Sequence, residues 1–584
     1  MGSEEGLEQS LLSEDQHTQN EICRPCSGDG SVDINGNPSL RHHTGNWKSC
    51  LFILGTECCE RLAYYGIVKN LVTYLITKFH EGNAIAARNV TTWQGTCYLT
   101  TLIGASIADS YLGRFKTIAV FSTIYLIGML ILTLSASVPA LKPPSCVGIA
   151  CLDGSTAQYA IFFVGLYLIA LGTGGIKPCV SSFGADQFDD TDPLERVSKG
   201  SYFNWFYFSI NIGSLISGTL LVWIQDNYGW GLGFGIPTVF MALAILSFFS
   251  GTTVYRFQKP GGSPFTRNFQ VIVASIRKWH IAIPHDSSLL FELPNATVGL
   301  NGIRKLEHSS TYKFLDKAAT ISNLDVKFES SPDPWRLCTV TQVEELKILL
   351  RMFPILATGI MYSAIYAQNS SMFLEQGMAL DKRFDSFTIP PATLSSFDVI
   401  SVIIWVPIYD KLLIPIARRL TGNERGISQL QRIGIGLFIS ILTVTAAALV
   451  ETKRLQIAKA EGIVHEKVTV PMSILWQIPQ FSLAGLSEVF TCIGQLEFFY
   501  DQAPDNLRSL CTALTLVLVA LGSYLSSLIL SIVMLITTQR GNPGWIPDNL
   551  NEGHLDRFFW LLAGLSFLNL MVYVHYAMKY KHKM

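Results

Sequence analysis

The chain has 584 residues, of which 49% are hydrophobic and only 15% are charged, and its formal net charge is -1. Soluble proteins carry about a quarter charged residues, so this composition excludes a single soluble globule. The near-zero net charge gives no support to a polyanionic partner, so we expect no nucleic acid binding.

The first 46 residues are polar and contain no apolar run behind a basic one, which argues against a signal peptide. We predict that residues 1–46 form a disordered cytoplasmic tail. Cys23 and Cys26 make a lone CxxC pair in this tail, and a single pair predicts no metal site.

A membrane-spanning helix needs roughly 20 mostly apolar residues, and many stretches after the tail reach that length. Six of them fall within residues 47–255 and six within residues 342–578, on either side of a polar, basic linker at 256–341. This arrangement predicts an all-α membrane protein with the major facilitator fold, in which twelve transmembrane helices form two six-helix bundles. The predicted spans lie near 50–76, 91–109, 117–138, 158–181, 203–223, 232–254, 346–374, 392–414, 432–450, 473–499, 510–536 and 557–578.

Basic residues predict which loops face the cytoplasm, because Lys and Arg are enriched on that side. The linker is basic, and the short tail at 579–584 contains Lys579, Lys581 and Lys583. We therefore predict that both termini and the linker are cytoplasmic. The basic loop predicted at 451–470 would then lie on the opposite side, against the pattern.

Cys146 and Cys151 share a short polar loop between the third and fourth predicted spans, on the predicted non-cytoplasmic side. Disulfides form and persist in oxidising compartments. We therefore treat this pair as a disulfide candidate if the loop faces such a compartment.

The first predicted span contains two carboxylates and a guanidinium within five residues, Glu57, Glu60 and Arg61. Glu57, Glu60, Arg61 and Tyr64 recur at i, i+3, i+4 and i+7, so they share one helical face. Charges inside a spanning helix are costly unless they face a polar interior. A structural ion pair between Glu57 and Arg61 is one interpretation, but it leaves Glu60 unexplained. Two acids beside one cation have a titration that responds to their surroundings, which proton coupling requires.

The fourth predicted span contains Lys177 within the sequence Leu171-Gly-Thr-Gly-Gly-Ile-Lys177-Pro178. The glycines allow close helix approach, and the proline opens the backbone hydrogen-bond ladder near a cavity. We predict that Lys177 faces the interior. The alternative is that its ammonium extends to the membrane interface.

Asp398 and Glu488 are acids inside the eighth and tenth predicted spans, and no Lys or Arg lies at helical spacing in either span. The basic groups Arg61 and Lys177 therefore come from the first half, and unpaired acids come from the second. A zwitterion that lies across the gap would meet opposite charge at each end. The other residues that could line this cavity are Tyr64, Tyr65, Tyr98, Asn211, Tyr366, Gln368 and Trp405.

Only one of the eleven histidines, His575, falls within a predicted span, so carboxylates rather than imidazoles would carry protons. The sequence contains no G-x-x-x-x-G-K-[ST] phosphate loop, which argues against ATP-driven pumping. It contains no G-x-S-x-G nucleophile motif either. We expect no enzyme activity and no cofactor, with a proton gradient as the energy source.

Three segments of the sequence resemble the proton-dependent oligopeptide transporter family. They are Glu57-x-x-Glu60-Arg61 with Tyr64-Tyr65, Gly172-Thr-Gly-Gly-Ile-Lys177-Pro, and Phe203-Asn-Trp-Phe-Tyr-Phe-Ser-Ile-Asn211-Ile-Gly213. Two further segments extend the likeness: Gly104-Ala-Ser-Ile-Ala-Asp109 to Gly113-Arg114, and Glu497-Phe-Phe-Tyr-Asp501-Gln-Ala-Pro504. Across nearly the whole length, the chain looks like the di- and tripeptide branch of the plant nitrate and peptide transporters.

The resemblance implies roles for these residues. Glu57, Glu60, Arg61 and Lys177 would couple protons to peptide, and the two basic groups would receive the peptide carboxylate. Glu488 would face the peptide amino group. Tyr64, Tyr98 and Asn211 match family positions that contact the peptide backbone.

Several positions depart from the family pattern. Val68 stands where bacterial relatives have a basic residue, with Lys69 adjacent. Tyr366 and Ala367 stand at the acidic positions of helix seven, which removes one proposed proton site. The nitrate-transporting plant relative has a histidine where Tyr366 stands, which argues against nitrate as a substrate.

We predict a proton-coupled symporter of di- and tripeptides that works by alternating access in the plasma or vacuolar membrane. Its partners would be peptides, protons and the lipid bilayer, and its oligomeric state stays open. Two alternatives remain: a proton-coupled symporter of nitrate or another small anion or metabolite, and a non-transporting nutrient receptor. The presence of all five coupling and binding residues (Glu57, Glu60, Arg61, Lys177 and Glu488) argues against the receptor.

Overall fold

The computed structural model describes residues 26–81, 83–142, 155–258, 264–284, 286, 289–292, 306–322, 333–384, 387–389, 391–422, 426–504, 507–538, 544–547 and 549–580. Twelve long helices lie within these ranges. They are α1 (Asn46–Val68), α2 (Asn83–Ile107), α3 (Arg114–Ser137), α4 (Thr156–Ala185), α5 (Pro193–Ile216), α6 (Trp230–Ser250), α7 (Val340–Tyr366), α8 (Ser396–Ile408), α9 (Gln429–Ala460), α10 (Ile478–Gln502), α11 (Arg508–Thr537) and α12 (Leu555–Lys579).

Several helices have short extensions, and four short strands pair outside the bundles. The extensions are Leu71–Lys78 after α1, Ala108–Leu112 after α2, Ser217–Leu221 and Val222–Asn227 after α5, Ala367–Ser370 and Met372–Met378 after α7, and Tyr409–Leu413 and Ile414–Thr421 after α8. Strand Leu380–Asp381 runs parallel to Val470–Ser473, and Arg383–Phe384 runs antiparallel to Phe387–Thr388. Short 3-10 turns at Pro391–Ser395 and Ile474–Gln477 precede α8 and α10.

Nine of the helices in the described part of the chain are long and apolar enough to cross a membrane. The other three, α1, α2 and α10, are as long but more polar; α1 contains Glu57, Glu60 and Arg61. Polar side chains in a spanning helix face the bundle interior or a water-filled cavity. These three helices are therefore expected to contribute to a polar site.

The helices pack as two bundles of six. In the first bundle α4 packs against α2 and α3, and α1 packs against α5 and α6; in the second, α9 packs against α10 and α12, and α7 packs against α11. The bundles meet where α11 contacts α2 and α4, and where α5 contacts α8 and α10. Glycine permits a close approach of α2 and α4, because a Cβ at Gly174 would lie 2.7 Å from the backbone oxygen of Thr100.

Helices α5 and α9 extend furthest beyond their predicted ends. α5 begins at Pro193 rather than near 203, because the Asp192 side chain caps it and a proline fits the first turn. α9 continues to Ala460, so half of the predicted loop 451–470 is helical. The apolar run ends near residue 450 because charged residues begin there. The helix continues, since Glu451 and Arg454 pair with each other within it at 2.6 Å.

Residues 26–45 are packed against the first bundle, so the predicted disordered tail is wrong for this segment. Val32 forms a β-bridge with Phe257. Asp189 Oδ2 accepts hydrogen bonds from the Gly28 N–H at 2.8 Å and from Arg41 at 2.7 Å. The sequence alone gave no sign of these contacts, because the segment is polar and its partners are distant in the chain.

Some predictions fall on residues outside the described ranges. Cys146 and Cys151 lie there, so their disulfide stays a prediction, and so do residues 1–25 of the predicted tail.

The linker packs against the start of α7. Its helix Pro264–Arg277 and the 3-10 turn Lys313–Ala319 share a small apolar core with Val343 and Leu346 of α7. Because each bundle has six spans, the linker lies on the same side as the start of α1 and the end of α12. We call this side the linker face.

Candidate functional site

The charged residues of α1 form one buried cluster. Arg61 Nε lies 3.2 Å from Glu57 Oε1, and the Arg61 guanidinium also pairs with Glu60. Glu57 Oε2 and Glu60 Oε1 have no hydrogen-bond partner among the residues that the structure describes. One guanidinium therefore serves two carboxylates, and each carboxylate has an oxygen that could accept a proton or a ligand.

A glycine of α5 sets the position of this part of α1. A Cβ at Gly213 would lie 2.6 Å from Cys58 O and 2.9 Å from Leu62 N. Any larger residue would collide with the α1 backbone, so Gly213 fixes the separation of the two helices beside the charged cluster.

Lys177 of α4 points into the first bundle. Its side chain is buried, and its Nζ lies 3.8 Å from the centroid of the Tyr64 ring and 4.9 Å from that of Tyr98. Arg61 Cζ lies 5.3 Å from the Tyr64 centroid. Both basic groups therefore make cation–π contacts with one tyrosine. This geometry contradicts the alternative that Lys177 extends to the interface.

Tyr65 and Asn211 lie next to this cluster. The Tyr65 ring meets Tyr64 edge-on at 5.5 Å between centroids. Asn211 is buried two residues before Gly213 on α5, and its side-chain amide donates to Tyr207 O at 3.0 Å. That bond lies within α5, so any contact between Asn211 and a substrate remains a prediction.

Asp398 of α8 and Glu488 of α10 are buried in the second bundle. Asp398 Oδ2 accepts hydrogen bonds from Tyr366 Oη and Asn369 Nδ2, each at 3.3 Å. Tyr207 of α5 donates a hydrogen bond to Glu488. No Lys or Arg in the described ranges forms a salt bridge with either acid. Because an unpaired buried carboxylate is costly, this half of the site favours a cation or a proton.

A second glycine brings these two acids to neighbouring helices. A Cβ at Gly485 of α10 would lie 2.8 Å from Ser401 Cβ and 3.1 Å from Asp398 Oδ1 of α8. Glu488 follows Gly485 by three residues, so it lies on the same face of α10.

Tyr207 links the two bundles through Glu488, and no motif or charge pattern in the sequence singles it out. Tyr207 precedes Asn211 by four residues, so the two share a face of α5, and this spacing could have identified Tyr207 as a site residue. The aromatic-rich surroundings obscured it, because packing explains most such rings. Tyr207 contacts Glu488, and Gly213 contacts α1 beside the charged cluster. These two α5 residues are separated by about 9 Å of helix rise, so α5 brings Glu488 close to the α1 cluster.

Three other positions do not contribute a free side chain to this site. Gln368 is buried and donates to Ser526 Oγ of α11 at 2.8 Å, so it joins two helices instead of lining the cavity. Lys69 donates to Ser214 O at 2.9 Å, so it does not replace the basic group missing at position 68. Trp405 packs against the apolar core.

Charged residues join the two bundles at the linker face. Lys199 Nζ of α5 lies 2.8 Å from Asp501 Oδ1 of α10. Asp186, at the end of α4, lies 3.1 Å from Arg508 of α11 and accepts a 2.5 Å hydrogen bond from Tyr500 of α10. The bundles are therefore closed against each other on this side.

Comparison with known proteins decides the family. A model described as POT family matches residues 115–546. The chain belongs to the POT family. Two similar proteins of Arabidopsis thaliana are NRT1/PTR FAMILY 8.3 and NRT1/PTR FAMILY 8.5. The first is 64% identical over 555 residues, covering 95% of both chains, and the second is 58% identical over 586 residues, covering 99% of this chain and 97% of the relative.

The fold is similar to the crystal structure of an auto-inhibited POT family peptide transporter. The TM-score is 0.56 at 23% identity, with 91% of this chain and 97% of that chain covered. The predicted major facilitator fold and the predicted family are confirmed. The chain is thus a multi-pass membrane transporter of a family that uses proton gradients.

Proposed function

We propose that this transporter is a proton-coupled symporter of di- and tripeptides that works by alternating access. The proposal rests on the distribution of charge between the two bundles. Arg61 and Lys177 lie in the first bundle, whereas Asp398 and Glu488 lie in the second bundle without a basic partner in the described ranges. A peptide zwitterion complements both halves.

The acids of the second bundle would receive the peptide amino group. Tyr366 and Tyr207 each hold one of these acids by a hydrogen bond. An ammonium between Asp398 and Glu488 would form charge-assisted hydrogen bonds, which are stronger than neutral ones. Its charge would also offset the cost of burying two carboxylates.

Proton coupling would follow from the charge balance near Arg61. With Glu57 and Glu60 ionised, two carboxylates balance Arg61 and Lys177. A peptide carboxylate that arrives at the basic groups adds one negative charge to this buried cluster. A proton on one glutamate restores the balance, so peptide binding and protonation favour each other.

Nitrate fits the same site less well. It supplies negative charge to the first bundle but no cation to the second, so Asp398 and Glu488 would stay unpaired. Tyr366 Oη donates a hydrogen bond at this place but has no positive charge. A peptide resolves both problems with its own amino group.

Uptake currents in oocytes test the proposal. We expect dipeptide currents that grow as the external medium is acidified, and no nitrate current above that of water-injected cells. Tyr366→His and Tyr366→Phe are a matched pair of variants, because both remove the tyrosine hydroxyl but only histidine adds a group that can be cationic. Any gain in nitrate uptake should therefore appear only in Tyr366→His. Nitrate uptake that exceeds dipeptide uptake would support the small-anion symporter, and surface protein without uptake of either would support a receptor.

We also propose that both termini and the linker face are cytoplasmic, in the plasma or vacuolar membrane. The basic linker supports this orientation. An epitope tag at either terminus should bind antibody only after the membrane is permeabilised.

A further inference from the structure

A cavity of about 640 Å³ lies at the linker face between the bundles, and its lining does not include Glu57, Glu60 or Arg61 of α1. Its walls are the starts of α1, α5 and α9 and the helical extension of α8. We call it the basic cleft and define it by Trp47, Leu51, Arg196, Lys411, Arg418 and Arg432.

The acids of the basic cleft are already engaged in its floor. Asp410 accepts hydrogen bonds from Ser201 Oγ at 2.7 Å and Asn204 Nδ2 at 3.0 Å. Glu497 lies 3.5 Å from Arg432. Glu497 is therefore engaged within the floor, and Asp410 lies near only one basic group of the mouth among the described residues, Lys411.

Three basic side chains at the mouth keep positive charge available. Arg418 Nε is buried without a hydrogen-bond partner among the described residues. Arg196 donates only to the backbone oxygen of Asp190, at 2.7 Å, within the described ranges. Lys411 is 72% exposed, and its Nζ lies 3.8 Å from Asp410. The mouth therefore has an excess of positive charge.

The opposite wall of the basic cleft is apolar. Trp47, Leu51 and Leu54 come from the first turns of α1, and Ile414 and Pro415 come from the extension of α8. Leu51 is 67% exposed, so its apolar side chain is available for contact with a ligand. A ligand here would meet cations on one side and hydrocarbon on the other.

We propose that the basic cleft binds an anionic phospholipid, with its phosphate between Arg196, Lys411 and Arg418 and its acyl chains along the α1 wall. Basic pockets between transmembrane helices are suited to such headgroups. The apolar wall favours a lipid over a free anion, because a water-soluble phosphate gains nothing from Leu51 or Ile414. The proposal does not depend on which substrate is transported.

Lipid binding would also favour one conformation of the transporter. The floor of the basic cleft is an inter-bundle contact, in which Arg432 of α9 donates to Asn204 of α5 at 2.8 Å. The cleft has this shape only while the linker-face ends of α5, α8 and α9 are together. A ligand that binds one conformation better shifts the population toward it.

The direct test is ligand titration of the purified full-length protein in neutral detergent. The probe is dioctanoyl phosphatidic acid; inorganic phosphate and dioctanoyl phosphatidylcholine provide comparisons. A basic residue near the membrane surface contributes enough that Arg418→Gln and Arg196→Gln should each weaken phosphatidic acid binding about fivefold. Arg419→Gln is the matched control, because this exposed neighbour does not line the cleft.

A second variant tests the apolar wall without a change of charge. Leu51→Gln should weaken phosphatidic acid binding and leave the thermal unfolding temperature unchanged, because Leu51 is exposed. Binding of inorganic phosphate as tight as that of phosphatidic acid would overturn the proposal in favour of a free-anion site. An equal loss in Arg418→Gln and Arg419→Gln would overturn it in favour of unspecific surface attraction.

Discussion

Arg61 is the only basic side chain, within the described ranges, that forms a salt bridge with Glu57 or Glu60. The two glutamates are one turn apart on α1, so protonation of one changes the electrostatic environment of the other. Glu60 is the more deeply buried of the two, with no exposed surface. A proton on Glu60 would therefore be shielded from solvent in this conformation.

Substitution of Glu60 separates proton coupling from substrate movement. Glu60→Gln removes the titratable group and keeps the size, so we expect loss of pH-driven accumulation while peptide counterflow stays measurable. Uptake and counterflow of a labelled dipeptide in proteoliposomes measure both. The control is Glu461→Gln, which removes an exposed carboxylate outside the site. Unchanged accumulation against a gradient in Glu60→Gln would remove Glu60 from the proton path.

Blocked peptides test the acids of the second bundle. An N-acetylated dipeptide has no ammonium, and a charge-assisted hydrogen bond contributes about 1.5 to 3 kcal/mol, so affinity should fall roughly ten- to a hundredfold. Competition against a labelled free dipeptide measures the difference. In Asp398→Asn/Glu488→Gln the preference for the free amino group should disappear. Equal competition by the two peptides in the unmodified protein contradicts the assignment.

Helical spacing predicted which site residues share a face but not which neighbours they meet. It placed Glu57, Glu60 and Arg61 together correctly, because all three lie on one helix. It gave no information on Gln368, whose partner Ser526 lies on another helix. It also gave no reason to select Tyr207 from its aromatic segment, since its partner lies in the other bundle. Contacts between helices depend on packing, which one helix does not encode.

At the scale of helices, hydropathy located the spans but not their full lengths. The boundaries of α5 and α9 differ from prediction because helix ends depend on capping and ion pairs outside the apolar core, such as Asp192 and Glu451–Arg454. Hydropathy also gave no indication that residues 26–45 are packed, because this segment has no apolar run.

Gly485 determines how closely α8 and α10 approach, and its substitution tests that role. In Gly485→Ala the new methyl group meets Asp398 and Ser401, so the helices must separate. Overpacking of this kind costs about 1 to 3 kcal/mol, and we expect a lower unfolding temperature together with reduced dipeptide uptake. Gly564→Ala on α12 is the control, because a Cβ there meets nothing within 4 Å. Equal effects of the two substitutions would contradict a specific role for Gly485.

At the scale of the whole molecule, the contacts at the linker face hold one end of the transport path closed. Lys199–Asp501 and Asp186–Arg508 both join the first bundle to the second. Neither pair was predicted, because their partners are several hundred residues apart in sequence. An opening of this face must break both pairs, so they set part of the free-energy difference between the two conformations.

Lys199→Ala tests this control of conformation. Lys199 is buried, and loss of one partner of a buried ion pair costs about 3 to 5 kcal/mol. Because a shift from 1:99 to 99:1 needs about 5.5 kcal/mol, this loss is large enough to populate a state that is open at the linker face. Spin labels on noncanonical amino acids at Leu194 and Leu420, which are 80% and 82% exposed in opposite bundles, would report the separation. We expect a longer distance in Lys199→Ala than in the unmodified protein, and no change in Lys116→Ala, which removes an exposed lysine on the same face. An unchanged distance in Lys199→Ala would mean that Asp186–Arg508 and the α5–α8 contacts are sufficient to hold this face closed.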